Sequence, residues 1–236
     1  MGESQTTVAV ICKALSESIA TGAFSAEGRL PSERALSDHF STTRITLREA
    51  LGQLEAQGLI YREVRRGWFV SPPRIVYNPL QRSHFHAMAK DQGRDAQTEV
   101  IDAKYCVASE TVCQKLLLPS GSEVICIRRL RYIDKRPVLY VEHYLNPLYF
   151  QGILGADLTT SLTDLYAARY DIHYGRVRFD MVPTLLSEQA SRALRVASGS
   201  PALFITRTNR DQHDRVIDCD LEYWRYDALH IDVEVN

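Results

Sequence analysis

Residues 30–70 limit the possible folds of this chain more than any other stretch does. They read LPSERALSDHFSTTRITLREALGQLEAQGLIYREVRRGWFV. Ser32 is expected to cap one helix, and Thr43 to cap a second helix that continues to Gln57 and stops at Gly58. The apolar residues of the second helix share one face, which we expect to be buried: Leu47, Ala50, Leu51 and Leu54. The opposite face is polar and is available to a partner.

The sequence on either side of these helices completes a small domain. Between residues 5 and 21, apolar residues recur at helical spacing, at Val8, Ile11, Leu15 and Ile19. After the second capped helix, residues 59–63 and 68–70 alternate apolar and polar side chains around a turn that contains Gly67. This pattern predicts a β-hairpin. Three helices followed by a hairpin predict a winged helix-turn-helix domain.

Basic residues are concentrated in this region, although the whole chain has a formal net charge of −1. Between Arg29 and Arg74 there are eight arginines and five acidic residues. Arg44 and Arg48 are four residues apart near the start of the second capped helix, where a guanidinium can donate two hydrogen bonds to a guanine. Further candidates for phosphate and minor-groove contacts are Ser32, Thr43, Arg65, Arg66 and Gly67. Each arginine taken singly could equally be a solvated surface charge.

The motifs LPSERALSDHF, TTRITLREAL, LEAQGLI and RRGWFV resemble the DNA-binding domain of the GntR family of bacterial transcription regulators. The resemblance runs from Val8 to Val70 and implies binding to double-stranded operator DNA. It assigns DNA contacts to Arg34, Arg44, Thr46, Arg48 and Gly67. The chain departs from the family pattern in the turn at residues 41–42, at Ile45 and at Trp68, which bears on the operator sequence and not on DNA binding itself.

The length of 236 residues is sufficient for two domains. Prolines at 72, 73 and 79 predict a linker at 73–79 between a DNA-binding domain at 1–72 and a second domain at 80–236. Five cysteines without a C-x-x-C pair favour a reducing compartment over a zinc site or a disulfide framework. We find neither a signal peptide nor a run of 18 apolar residues, so we expect a cytoplasmic protein without membrane contact.

The second domain is predicted to be α+β with an antiparallel sheet. Strands are expected at 99–105, 123–133, 138–145, 174–182, 202–211, 215–226 and 229–235, and helices at 110–117, 162–170 and 187–194. A turn is expected at residues 134–137. A further short helix is expected after residues 83–86.

Charged side chains alternate along two of the predicted strands. Arg129 and Arg131 share one strand face, and two adjacent guanidiniums suit an anion such as a phosphoryl group. On another strand the acidic residues Asp218, Asp220 and Glu222 share a face, so they require a cation or arginines opposite them. The hydroxyl of Ser83, before the short helix, could hold an oxyanion. The competing interpretation is that the arginines and carboxylates form surface ion pairs without function.

This second domain resembles the UTRA effector-binding domain of the HutC subfamily, whose fold is related to that of chorismate lyase. The resemblance rests on FHAM, QGRD, IRRLRYIDKRPVLYVEHYLNP, SLTDLY and LEYWRYDALHIDV. It implies effector contacts from Phe85, His86, Arg129, Arg131, Ser161, Glu222 and Tyr226. TTRITLRE, RRGWFVSPPR and DQHDRVIDCDLEYWRYDALHIDVEV further resemble those members that control uptake and degradation of 2-aminoethylphosphonate. That effector would place its phosphonate at the arginines and its ammonium at Asp220 or Glu222.

These observations predict a DNA-binding transcription regulator, expected to be a homodimer because such domains read two half-sites. Three alternatives remain open. The effector could be a sugar phosphate, the second domain could serve only for dimerisation, or the chain could be an enzyme of the chorismate-lyase type. No activated nucleophile, acid–base pair, cofactor motif or metal-ligand spacing supports an enzyme, so we expect neither catalytic residues nor cofactors nor a metal.

Overall fold

The computed structural model describes residues 6–24, 28–81 and 84–234. The chain divides into two compact units. The first comprises residues 1–73 with 195–197, and the second comprises residues 74–194 with 198–236.

The first unit is a winged helix-turn-helix, as predicted. Its elements are α1 (Thr7–Ala20), α2 (Glu33–His39), α3 (Arg44–Ala56), β1 (Ile60–Glu63) and β2 (Gly67–Val70). The two strands are antiparallel, with Ile60 opposite Val70. The predicted caps are confirmed, since the Ser32 hydroxyl accepts a hydrogen bond from the Ala35 amide and the Thr43 hydroxyl accepts one from Thr46.

The apolar face predicted for α3 forms the centre of this unit. Leu47, Ala50, Leu51 and Leu54 are completely buried. They pack with Ile11 and Leu15 of α1, Leu30, Leu36 of α2, Ile60 of β1 and Trp68 of β2. Burial of this many apolar side chains fixes the orientation of α3, because each one stabilises the fold by about 1.5–3 kcal/mol. The polar face of α3 consequently points outward.

The second unit contains a six-stranded antiparallel sheet. Its strands are β4 (Ala96–Val107), β5 (Glu123–Ile133), β6 (Arg136–Leu145), β7 (Tyr174–Leu185), β8 (Pro201–Asp211) and β9 (Val216–Arg225). The order across the sheet is β4, β5, β6, β9, β8, β7. Four helices accompany it, α4 (Phe85–Asp91), α5 (Glu110–Leu116), α6 (Leu162–Tyr170) and α7 (Glu188–Ala193), with a 3₁₀ turn at Ile153–Gly155. The α+β class with an antiparallel sheet is confirmed.

The structure differs from the prediction in the linker and at several strand ends, since β4 extends beyond the predicted 99–105 and β7 beyond the predicted 174–182. The segment predicted to be a linker contains β3 (Ile75–Tyr77), which pairs in parallel with β10 (Leu229–Ile231). The closing strand, predicted over 229–235, therefore ends at Ile231, because its partner has only three residues. Residue 235 lies outside the described residues. Strand β6 begins two residues before the predicted position, because Asp134 and Lys135 have positive φ angles of 48° and 64° and form a tight two-residue turn.

Candidate functional site

An arginine-rich groove of about 640 Å³ lies in the first unit. The loop before α2, the starts of α2 and α3, and the wing formed by β1 and β2 provide its walls. Six arginines line it: Arg29, Arg34, Arg44, Arg62, Arg65 and Arg66. Such a concentration of guanidiniums creates a positive local potential that the net charge of the whole chain conceals.

The predicted DNA-contacting arginines on the helices are exposed, but they differ in how they are held. Arg34 and Arg44 make no side-chain hydrogen bond or ion pair with the described residues, so their guanidiniums are available. The Nε of Arg48 donates to Oε2 of Glu33 at 2.8 Å. Burial acts to raise the pKa of Glu33, but hydrogen bonds from Arg48 and Trp68 lower it below its ordinary value. Glu33 therefore stays ionised and orients Arg48.

The polar side chains predicted at the helix starts act as caps. The Ser32 and Thr43 oxygens each accept a backbone hydrogen bond, at 3.2 Å in both cases. The Thr46 hydroxyl lies 3.0 Å from that of Thr43. A hydroxyl that accepts one hydrogen bond can still donate another, so the Ser32 cap leaves a donor for a phosphate at the start of α2.

The wing presents its charged residues at a tight turn. Arg65 has a φ of 64° and Gly67 a φ of 105°. A Cβ at Gly67 would be strained at this φ and would lie 4.0 Å from the Arg29 guanidinium. Arg66 is paired with Glu63 at 2.5 Å and lies over the Phe69 ring, so it is held to the wing, whereas Arg65 makes no such contact.

Arg29 and Arg62 also belong to this groove, although neither is among the DNA contacts predicted from the sequence. Arg62 lies over the ring of Trp68 and is 3.9 Å from Glu33. The alternation along β1 places Arg62 on the exposed face, which was a usable signal. Arg29 joins the groove through a bridge to Phe69, a contact distant in sequence that no local pattern shows.

A second candidate site is a cavity of about 80 Å³ in the second unit, with room for a few water molecules or one small solute. It lies between the charged faces of β5, β6, β8 and β9 and the starts of α4 and α6. Predicted residues on its wall are Phe85, His86, Arg129, Arg131, Ser161 and Asp220. The wall also includes Tyr77, Pro79, Gln81, His84, His143, Thr160, Leu162, Thr163, Tyr174, Val177, Phe179 and Arg207.

Arg129 is 1% exposed, and protein groups already occupy its guanidinium. Its Nε donates to Nε2 of His143 at 3.0 Å, and its Nη1 donates to the Leu158 and Thr160 carbonyls at 3.2 and 2.9 Å. Burial lowers the pKa of His143 to about 3, so this imidazole is neutral and its Nδ1 donates to Asp220 at 2.6 Å. Arg129, His143 and Asp220 thus form one fixed chain of hydrogen bonds.

Arg131 is different, although it lies on the same strand face. Its guanidinium carbon is 4.8 Å from the centroid of the Phe85 ring. Its Nε is shielded from solvent and has no hydrogen-bond partner, and its side chain makes no hydrogen bond or ion pair with a described residue. Burial and the neighbouring Arg129 lower the pKa of Arg131 to about 9, so it is still charged at neutral pH. A charged donor that faces a cavity without a partner requires an anion.

The acidic face of β9 meets Arg207 of β8, which the analysis of the sequence did not single out. Nη1 of Arg207 is 3.3 Å from Oε1 of Glu222, and its Nε is 4.0 Å from Oδ2 of Asp220. Burial alone would raise the pKa of Asp220, but His143 and Arg207 lower it to about 2. No ion pair joins Arg129 or Arg131 directly to a β9 carboxylate within the described ranges, so the surface-pair interpretation is wrong.

The other two acidic residues of β9, Asp218 and Glu222, accept hydrogen bonds from side chains inside the protein. Asp218 accepts hydrogen bonds from Nδ2 of Asn209 at 2.5 Å and from the Tyr174 hydroxyl at 2.8 Å. Burial and the charge of Asp220 raise the pKa of Asp218 to about 8. Glu222 accepts from the Trp224 indole at 2.9 Å as well as from Arg207, and it is not on the cavity wall.

The remaining predicted effector residues are placed as follows. Nε2 of His86 lies 2.9 Å from the Thr98 hydroxyl, and burial together with the charge of Arg131 lowers the pKa of His86. Ser161 is the N-cap of α6. Tyr226 lies in the turn after β9, away from the cavity wall. Ser83 lies outside the described residues.

The charges around the cavity do not cancel. The wall carries three arginines, Arg129, Arg131 and Arg207, and one carboxylate, Asp220, and a second carboxylate, Glu222, pairs with Arg207 behind the wall. One positive charge is therefore in excess. The first backbone amides of α6, at Leu162 and Thr163, lie at the cavity without intrahelical acceptors. A small ligand with an anionic end and a net charge near −1 would satisfy these groups.

The described His, Cys, Asp and Glu residues include no group of three placed to hold a metal ion. Among the helices that the structure describes, none is long and apolar enough to cross a membrane.

Comparison with known proteins assigns both units. Residues 7–70 match the bacterial regulatory proteins of the gntR family, and residues 91–230 match the UTRA domain. The uncharacterized HTH-type transcriptional regulator YihL of Escherichia coli is 29% identical over 98% of each chain. The mannosyl-D-glycerate transport/metabolism system repressor MngR of the same species is 25% identical over 82% of this chain and 80% of its own.

A solved structure shows the same fold over nearly the full length. The crystal structure of PhnF from Mycobacterium smegmatis superposes with a TM-score of 0.67 at 22% identity, covering 96% of this chain and 99% of PhnF. The two matched segments account for most of the chain, and the UTRA match alone covers more than half of it. The chain therefore belongs to the gntR family of bacterial regulatory proteins that carry a UTRA domain, and it is a transcriptional regulator.

Proposed function

We propose that this regulator binds its operator through the arginine-rich groove and that its operator affinity is set by a small phosphonate-bearing amine held in the second unit. 2-Aminoethylphosphonate is the effector we assign, and genes for phosphonate uptake and degradation are the proposed targets. The observation that carries this proposal is Arg131, a charged guanidinium on the cavity wall that has no hydrogen bond or ion pair with any residue the structure describes.

The DNA side of the proposal rests on available donors at the starts of two helices and at the wing. Arg44 would read a guanine from the start of α3, with Arg48 oriented beside it by Glu33. Arg65 and Gly67 at the wing would approach a minor groove and the phosphates beside it, and Arg66, which is paired with Glu63, would contribute less. The remaining proposed contacts, which position the protein on the phosphates, are Ser32, Arg34, Thr43 and Thr46.

The effector side rests on the arrangement of charge. The phosphonate would lie against Arg131 and the first amides of α6, where Ser161 and Thr163 add hydroxyl donors. The ammonium would lie near Asp220, the carboxylate on the cavity wall. A phosphoryl-type group carries about −1.5 to −2 charges at neutral pH, so with its ammonium the ligand balances an excess of one positive charge. A cavity of about 80 Å³ also favours a small effector.

Further parts of the proposal concern the whole protein. Residues 1–72 and 80–236 would act as operator-binding and effector-binding domains, joined by residues 73–79. A homodimer would place two α3 helices on two half-sites of the operator in the cytoplasm. No chemical turnover of the effector is expected.

A sugar phosphate is the second candidate effector. Hydroxyl groups of Thr160, Ser161 and Thr163 line the cavity and could bind sugar hydroxyls. The name of the relative MngR refers to mannosyl-D-glycerate, a sugar derivative. The two candidates differ in their hydroxyl groups, which a sugar phosphate would need to place against these residues and which 2-aminoethylphosphonate lacks.

Isothermal titration calorimetry tests the assignment of the effector. The purified protein is titrated with 2-aminoethylphosphonate, and in parallel with inorganic phosphate, ethanolamine and glucosamine-6-phosphate. Saturable binding of 2-aminoethylphosphonate, with at most weak binding of the other three, supports the proposal. Preferential binding of the sugar phosphate would replace the effector but keep the regulator, and an absence of heat with all four compounds would contradict the effector site.

A further inference from the structure

Ile45 is a large apolar side chain on the outer face of α3, and it is 81% exposed. It is the second residue of the helix, between Arg44 and Thr46. Most apolar residues of the first unit pack into its core, but Ile45 does not belong to that cluster. An apolar side chain this exposed on the outer face of α3 is expected to contact a partner.

Helical geometry places Ile45 opposite the buried face. Successive residues rotate by about 100° around a helix, so the side that carries Leu47, Leu51 and Leu54 lies nearly opposite the direction of Ile45. Gly52, two turns further along, points in almost the same direction as Ile45, and a Cβ placed there would meet nothing within 4 Å. The outermost line of α3 thus carries Ile45 as its one bulky apolar group and then Gly52, with the exposed Arg48 and Glu49 on either side of this line.

Local structure gives no reason for an isoleucine at this position. A β-branched residue is a poorer helix former than alanine, leucine or arginine, and an exposed one gains no packing. Arg44 and Arg48 are exposed on one side of Ile45, and a single carboxylate, the exposed Glu49, lies on the other side, so positive charge predominates around it. A partner that touches this surface must combine strong negative charge with a localised apolar group.

Double-stranded DNA has both properties in its major groove. The phosphates supply the negative charge, and the 5-methyl group of thymine is the apolar group that a base pair displays there. We propose that Ile45 reads a thymine methyl in the operator, next to the base pair contacted by Arg44. This inference rests on the proposed operator binding, and it makes Ile45 a determinant of sequence specificity in addition to the arginines.

A deoxyuridine scan tests the contact. A duplex that binds the protein tightly is first selected from a random-sequence pool, and each thymine is then replaced singly by deoxyuridine, which removes only the methyl group. At one thymine per half-site, replacement by deoxyuridine should lower the affinity of the wild-type protein about fourfold. This is the loss expected when the burial of one methyl group is removed. Ile45→Ala should bind the thymine and deoxyuridine duplexes equally at that position.

Two further variants sharpen the comparison. Ile45→Val keeps a branched apolar group and should keep the sensitivity to deoxyuridine. Arg44→Ala should weaken binding to both duplexes while the difference between them persists. The inference is overturned if the wild-type protein is insensitive at every thymine or if Ile45→Ala shows the wild-type pattern. Failure to enrich any duplex from the pool would instead overturn operator binding, and with it this inference.

Discussion

At the scale of single residues, Arg129 and Arg131 lie on the same face of β5 but have different roles. Arg129 is saturated by His143 and two carbonyls, so it contributes charge and rigidity and has few donors left for a ligand. Arg131, two residues further on, makes no hydrogen bond or ion pair with the part of the chain that the structure describes, and its buried Nε has no partner there. Alternation along β5 identifies both residues but cannot distinguish their roles. The roles differ because, among the described residues, hydrogen-bond partners from other strands and loops reach Arg129 and not Arg131.

Replacing Arg131 by methionine tests this division. Arg131→Met should reduce the affinity for 2-aminoethylphosphonate by about 100-fold, because two charge-assisted hydrogen bonds are lost. The free energy of unfolding of the unliganded protein should stay the same or rise, on the order of 1 kcal/mol, because an unpaired cation leaves a shielded site. Calorimetric titration and urea denaturation measure the two effects.

Arg128→Met provides the matched control. Arg128 lies on the opposite face of β5, where it is paired with Glu142 at 2.9 Å and with Asp102 at 3.2 Å. Its replacement should lower the stability and leave effector affinity unchanged. Equal losses of affinity in both variants would show that the effector does not depend on Arg131 specifically.

Arg44 is the corresponding residue on the DNA side. Arg44→Ala should cost about 1–3 kcal/mol of operator binding and relax the preference at one base pair, because a bidentate contact with guanine is removed. The change is best measured by binding selection from a duplex library with both proteins. An unaltered base preference would exclude a base contact by Arg44.

At the scale of elements, helices and strands could be predicted from the sequence where the local apolar periodicity is strong. Strand β5 and helix α6 have the predicted bounds, 123–133 and 162–170, because each has a sustained period and a clear boundary. Strand β3 has three residues and pairs in parallel with β10 across about 150 positions, so no local pattern indicates it, whereas alternation predicted β10 but not where it ends. The winged helix-turn-helix was predictable because caps, apolar spacing and turn residues all agree.

The effector cavity was predictable only in part for a related reason. The acidic face of β9 indicated that cations must lie opposite, but the identity of those cations depends on strand register. Asp220 is opposite His143 on β6 and Arg207 on β8. Register between distant strands follows from the assembled sheet and cannot be read from one strand.

The wing is an element whose charge should act without sequence preference. Arg65→Ala should weaken binding to all duplexes and reduce the slope of log K against log salt by about 1, because one phosphate contact disappears. Anisotropy titrations at several salt concentrations give this slope. Arg66 offers a control, since it is already paired with Glu63 and Arg66→Ala should change the slope less. An unchanged slope for Arg65→Ala would exclude the wing from the phosphates.

The acidic face of β9 makes stability depend on pH. Because the pKa of Asp218 is raised to about 8 in the folded state, above its unfolded value, the folded protein holds a proton that the unfolded chain has lost. This contribution to stability is present at low pH and is lost as pH rises through about 8.

Asp218→Asn removes that dependence, because the amide cannot titrate. Between pH 6 and pH 8 the wild-type protein should lose on the order of 1–2 kcal/mol of unfolding free energy that Asp218→Asn retains. Urea denaturation at the two pH values measures the difference. Parallel pH profiles of the two proteins would show that Asp218 is ionised throughout.

At the scale of the whole molecule, regulation requires that effector and operator affinities be linked. The chain enters the second unit through β3 and the residues that follow it, and Tyr77, Pro79 and Gln81 of this segment line the cavity. An effector in the cavity would therefore touch the stretch of chain that continues from the DNA-binding unit. We expect its binding to favour one arrangement of that segment and so to change the population of the operator-binding state.

The most direct test of this account is the operator affinity of the full-length protein with and without saturating 2-aminoethylphosphonate, measured by anisotropy of a labelled duplex. In the wild-type protein the effector should change the operator Kd by about 5- to 150-fold, the range of ordinary allosteric coupling. Arg131→Met should bind the same operator but show no such change at that effector concentration. An operator Kd that is the same with and without the effector in the wild-type protein would contradict the account.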